Sequence, residues 1–249
     1  MRRVNMLKTL QIAIFTFFAL FGFTLTVSAD PSSCALQQDD DAMLSCAGAA
    51  LDKLIPQIYN TRWRDQSFRE QAKILIRHGS VDKAMSLLPQ ISNEDTKALT
   101  IRAIGIGMAE LPLAPAAQNE YFDTLHKQAM TISHTGSQEI AMTYIAIAEA
   151  SAGLFERALT SARTLRTNSL RNKSYQEIAE VLSAKGDTDN SFAALNLIDD
   201  PSFRNKAYGV IAAVFIKHGQ LAAALQFAEH IEDPYIKSNS FLNIMNTAE

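Results

Sequence analysis

Along most of the chain apolar residues recur every three or four positions, the period of an α-helix, and no stretch keeps up the strict alternation of a half-buried strand. Tyr208, Ile211, Ala212 and Phe215 trace one stripe, and Ala224, Phe227, Ala228 and Ile231 trace the next. The breaks between stripes are themselves regular. Gly153, Gly186 and Gly219 stand at one constant interval, since 186 − 153 = 33 and 219 − 186 = 33. LIPQIYN at 54–60 returns as LLPQISN at 87–93, and 87 − 54 is again 33. AKILIRHG at 72–79 and AAVFIKHG at 212–219 end on Gly79 and Gly219 in the same way. From Gly79 to Gly153 the step is 153 − 79 = 74, two periods and eight more, and the surplus is expected at Leu111–Gln118 (LPLAPAAQ), where two prolines interrupt the pattern.

With each glycine as origin, chemically similar residues fall into register. Five positions on stand Ala84, Ala158, Ser191 and Ala224; twelve on, Ile91, Leu165, Ile198 and Ile231; eighteen on, the basic Lys97, Arg171, Arg204 and Lys237. Seven positions earlier stand Ala72, Ala146, Ala179 and Ala212. Each period therefore predicts a helical hairpin, and its boundaries carry their own chemistry. Asp200-Pro201 and Asp233-Pro234 set a capping carboxylate before a proline at the first helical position, where its missing N–H costs nothing. The glycine closes a helix by taking the left-handed conformation that a C′ residue needs. A lone hairpin cannot bury both faces, so successive hairpins must stack.

On these residues the chain resembles the tetratricopeptide repeat family: Tyr175 with Ile178-Ala179 then Gly186; Tyr208 with Ile211-Ala212 then Gly219 and Ala224; Phe68 with Ala72 then Gly79 and Ala84. The period is one residue short of the family's 34, Ile or Leu replaces its second alanine, and Pro201 and Pro234 come early, so a related class of α-hairpin repeats fits equally. The resemblance implies an all-α fold, a right-handed α-solenoid of about six stacked hairpins over residues 46–249. It also implies a concave face lined by the first helix of every hairpin. The family's groove positions carry over to Arg69, Lys73, Arg102, Ile106, Ile147, Lys173, Gln176 and Lys206, a basic and apolar set suited to a protein or peptide segment with some acidic character.

Positions 1–29 read differently. Arg2, Arg3 and Lys8 precede an apolar run at 9–27, and Val27-Ser28-Ala29 gives a small-x-small cleavage pattern, the form of a signal peptide cut near Ala29. The run is also long enough to span a bilayer, so retention as an anchor stays open, and it is the chain's one route to a membrane. Residues 30–45 then form an N-terminal segment. Its Cys34 and the following Cys46 are the only two cysteines, and in an exported, oxidising setting they are expected to form a disulfide. That bond requires the chain to turn between them, because twelve helical residues span about 18 Å and a disulfide joins Cα atoms about 5.5 Å apart. The expected location is a bacterial periplasm or the medium outside.

Charge and motifs remove several functions. Loss of Arg2, Arg3 and Lys8 from the 23 basic residues leaves 20 against 26 acidic, and 20 − 26 = −6, which argues against nucleic acid. Asp187–Ser191 starts like a calcium loop but has Phe192 at the glycine position and Ile198 at the bidentate glutamate position. Gly105-Ile106-Gly107 lies within a helical repeat, not after a strand, and lacks the third glycine of a dinucleotide motif. Glu120, Asp123 and His126, with His134 nearby, have helix-face spacing, but no His-rich metal motif supports them. His78 and His218 are expected at helix ends, beside the negative end of the dipole. No metal, cofactor or catalytic residue is expected. The leading expectation is a monomeric, non-catalytic scaffold or adaptor. The alternatives are a substrate-handling domain for an envelope polymer such as peptidoglycan, and an oligomer formed through the terminal helix.

Overall fold

The computed structural model describes Cys34 and residues 39–247, so residues 1–29 and the cleavage expected near Ala29 lie outside the described residues. Every regular element among the described residues is helical, as the spacing predicts. The chain divides into two compact units between Lys53 and Leu54. In the first, helix α1 (Asp40–Leu54) carries Cys46, which is bonded to Cys34 with their Cα atoms 5.4 Å apart. The chain does turn between the two cysteines. Cys46 lies inside that continuous helix.

In the second unit long helices alternate with mostly shorter ones. The long set is α2 (Thr61–Arg77), α4 (Glu94–Ala109), α6 (Thr135–Ser151), α8 (Asn168–Ala184), α10 (Pro201–Lys217) and α12 (Pro234–Thr247). Between them come α3 (Val81–Leu87), α5 (Pro115–Met130), α7 (Phe155–Arg163), α9 (Thr188–Leu195) and α11 (Leu221–Glu229). Each long helix packs on the next long one, and each intervening helix packs on the long helices before and after it. The phrases LIPQ and LLPQ form matching 3-10 turns around Pro56 and Pro89.

The glycine ruler has a direct physical meaning. Gly79, Gly153, Gly186 and Gly219 have φ of 71° to 82°, and no described residue with a side chain takes a positive φ. At each one the glycine N–H reaches back three residues and the following N–H reaches back five, as Gly79 to Ile76 (2.9 Å) and Ser80 to Leu75 (2.8 Å). This pair of bonds satisfies carbonyls that the helix end leaves open. His78 and His218 are the C-cap residues of α2 and α10. The eight surplus residues mostly become helix: α5 is 16 residues long where α3, α7, α9 and α11 have 7 to 9. Pro115 starts that extension at the first helical position.

Small residues fix the helix spacing. Ala72, Ala146, Ala179 and Ala212 are wholly buried, and in α4 the slot is Gly105, where a Cβ would stand 3.1 Å from that of Ala148. One continuous core runs from Ala146 to Ile244 through α6–α12. Polar side chains then tie each period to the next. Asp65 accepts the backbone N–H groups of Ser92 and Asn93, Glu139 those of Arg166 and Thr167, and Asn205 that of Glu232 at 2.6 Å. Arg171 and Arg204 donate to the carbonyls of Leu165 and Ile198, and Lys237 to that of Glu229. At three of its four places the basic register position is thus a tie to the turn before its own helix, while Lys97 donates instead to Thr131 Oγ1 at the end of α5, at 2.8 Å.

Candidate functional site

The residues expected to line a partner face sit on the long helices, and they do not behave alike. Lys73 and Arg69 both pair with Glu70, at 2.7 and 3.0 Å. Lys173 lies 3.4 Å from Glu177, and Gln176 donates to Glu180 at 2.7 Å. Lys206 is exposed and Ile106 half-buried. Ile147 is only 5% exposed, which places it in the packing beneath the face. Arg102 is exposed and stacks its guanidinium 4.2 Å from the Tyr144 ring centroid, joining α4 to α6. Leu99 and Ile140, each 38% exposed, stand one helical turn away from that pair on the same helices. Glu70, Glu177 and Glu180 therefore offset much of the basic charge expected here, while Arg102 and Lys206 have no carboxylate partner in the ion pairs of the described residues. Around Arg102, α4 and α6 present Leu99, Ile140 and the Tyr144 ring.

A second cluster lies where α5, α6 and α7 meet. Glu149 is completely buried, and its carboxylate accepts from Arg157 Nε at 2.6 Å, His126 Nε2 at 2.9 Å and Ser161 Oγ at 2.6 Å. Arg157 Nη2 also donates to Asp123 at 2.7 Å, and the guanidinium carbon is 5.8 Å from the Phe122 ring centroid. The Arg157 hydrogen bond holds Asp123 below the usual carboxylate range. Burial disfavours the charge on Arg157, but its bonds to Glu149 and Asp123 outweigh this and raise its pKa. Beside the cluster opens a cavity of 490 Å³ lined by α5 and α7, with Met142 of α6 as an apolar wall. No family model or curated protein matches the chain.

A serine, a histidine and a glutamate in contact invite comparison with a nucleophilic triad. In a triad the acid and the hydroxyl use opposite ring nitrogens of the histidine. Here both use Nε2, with Ser161 Oγ 3.2 Å away, and Ser161 gives its own proton to Glu149. The arrangement fixes the directions of Arg157 and His126. The helix-face set Glu120, Asp123 and His126 is spent in the same way: Asp123 on Arg157, His126 on Glu149, with Glu120 exposed. His134 is the N-cap of α6, where its ring nitrogen accepts from Ser137 N–H.

The Glu149 cluster escapes a sequence reading that follows the register only at the positions that repeat. Its signal is a departure. Four residues before each glycine stand Leu75, Glu149, Leu182 and Phe215, with Met108 in the period that lacks the glycine. His126 takes a place held by Met85, Leu159, Phe192 and Leu225, and Ser161 one held by Leu87, Gln128, Ala194 and Phe227.

Proposed function

We propose that this chain is a non-catalytic, exported adaptor whose hairpins, related to tetratricopeptide repeats, form an α-solenoid of about six units and hold a protein segment along the face of the long helices. The observation that carries this reading is the Arg102–Tyr144 stack flanked by exposed Leu99 and Ile140. Apolar side chains give contact area, and a cation on an aromatic face adds an attraction for a carboxylate that sets register. A partner with apolar residues and few acids suits this face better than a strongly acidic one, because Glu70 and Glu177 already answer the neighbouring cations Arg69, Lys73 and Lys173. The disulfide fits an oxidising compartment, and the periplasm is the location proposed. The protein acts as a monomer in this reading.

Photocrosslinkers placed at Arg102 and Lys206 in cells, with Glu156 on α7 as the control position, test the proposal by mass spectrometry. The expected result is one protein captured through Arg102 and Lys206 and lost at Glu156. Equal capture at all three positions, or none at any, overturns it.

A further inference from the structure

The repeat supplies its own standard for what each position needs, and the junction of α5, α6 and α7 departs from it at three places together. Where the other periods put Leu75, Met108, Leu182 and Phe215, this one buries Glu149; His126 and Ser161 replace mostly apolar residues against it. Burying an ion network is generally no more stabilising than apolar packing of the same volume. The other periods make the same junction without one, so folding does not require it. Grouped breaks of a local rule mark places kept for another task.

The geometry points to a binding site for a small oxyanion, a carboxylate or a phosphate group, in the cavity between α5 and α7. Glu149 directs all three of its bonds inward and so acts as a positioning residue, holding Arg157 and His126 against the cavity. Arg157 spends its Nε–H on Glu149 and one Nη2–H on Asp123, which leaves the two hydrogens of Nη1 and the second of Nη2 as donors. Lys127 lines the same cavity and is exposed, and its charge reaches Asp123 through space without a close ion pair. Thr160 and Thr164 line it too, and they donate to the carbonyls of Glu156 and Ser161 in their own helix, bonds that a hydroxyl exchanges readily for a charged acceptor. Glu149 and Asp123 already answer Arg157, which leaves Lys127 as the lining cation without an ion pair among the described residues. The volume of 490 Å³ is within the range of small-molecule sites. This site stands apart from the partner face, which is built on the long helices.

The test is an NMR titration of the full chain with sodium phosphate and, separately, sodium acetate, each matched in ionic strength by sodium chloride. Saturable shifts of the Thr160 and Thr164 amides with phosphate, acetate or both, at concentrations of about 1–10 mM, are expected, and the more effective anion names the group. Lys127→Gln should weaken binding about three- to fivefold. The combined variant H126L/E149L/S161A, which gives the junction apolar residues, should abolish it. If that variant does not fold, Lys127→Gln decides alone. Shifts that never saturate with either anion, or that match those in chloride, overturn the proposal, as does binding that Lys127→Gln leaves unchanged.

Discussion

Glu149 shows most clearly how one side chain can be costly alone and neutral in company. Glu149→Leu gives the residue found at Leu75 and Leu182, yet it strands Arg157 and His126 beside an apolar wall. Removal of one partner from a buried ion network costs about 3–5 kcal/mol, whereas replacing the whole network with apolar residues is often neutral or better. Urea unfolding should accordingly show Glu149→Leu strongly destabilised and H126L/E149L/S161A, in which Arg157 keeps its bond to Asp123, recovering much of that loss. Two glycines separate two other residue-scale effects. Gly79→Ala meets nothing within 4 Å but must hold φ +71°, so it should cost about 1–2 kcal/mol through backbone conformation alone. Gly107→Ala has an ordinary helical backbone, but its Cβ would overlap Ile76, and the cost of about 1–3 kcal/mol is steric. Ile76→Ala should rescue Gly107→Ala in a double-mutant cycle and leave Gly79→Ala unrescued.

At the scale of elements, the joints between successive periods depend on carboxylates. Burial raises the pKa of Glu139, but its bonds from Thr167 and the N–H groups of Arg166 and Thr167 overcome this and leave it below the ordinary value of 4.5. Glu94 is held low by the hydroxyl and N–H of Ser133 and the N–H of His134. A carboxylate whose pKa is lower in the folded state binds its proton more readily when unfolded. Its stabilisation is therefore fully present above pH 4.5 and disappears as pH falls through that value to the folded pKa. Urea midpoints between pH 7 and pH 3 should decline mainly at the acid end, and Glu139→Gln, which retains an acceptor oxygen, should flatten that decline. An unchanged slope would remove Glu139 from the account. The lengthened α5 belongs to this scale as well: of the eight positions around the prolines, 111–114 stay outside the helix and 115–118 open it, because Pro115 is tolerated at the first helical position.

For the whole molecule, the two compact units meet the solvent's redox state differently. The disulfide closes a short loop at α1, and a loop of about 15 residues is worth up to about 3 kcal/mol. Cys34→Ser should speed hydrogen exchange through Asp40–Lys53 while leaving α6–α10 protected, since those helices share one continuous core. Exchange accelerated equally in α6–α10 would show that the two units unfold together.

Period, helix type, capping residues and the cysteine pair were legible in the sequence because each is a local rule. The small-residue slot at Ala72, Ala146, Ala179 and Ala212 and the glycine stops recur, and recurrence at a fixed spacing can be read without coordinates. Which members of a register position share a task could not be read in that way. Arg171 and Arg204 pass for solvated charges until the carbonyls of Leu165 and Ile198 come within reach, and the acids that answer Lys73 and Lys173 lie beside them on the same helices. Glu149, His126, Arg157 and Ser161 belong to three helices, and their meeting depends on how α5 and α7 pack against α6. Local propensity and spacing thus determined the helices and their ends, while tertiary packing alone decided which charges were buried together and which faced a cavity.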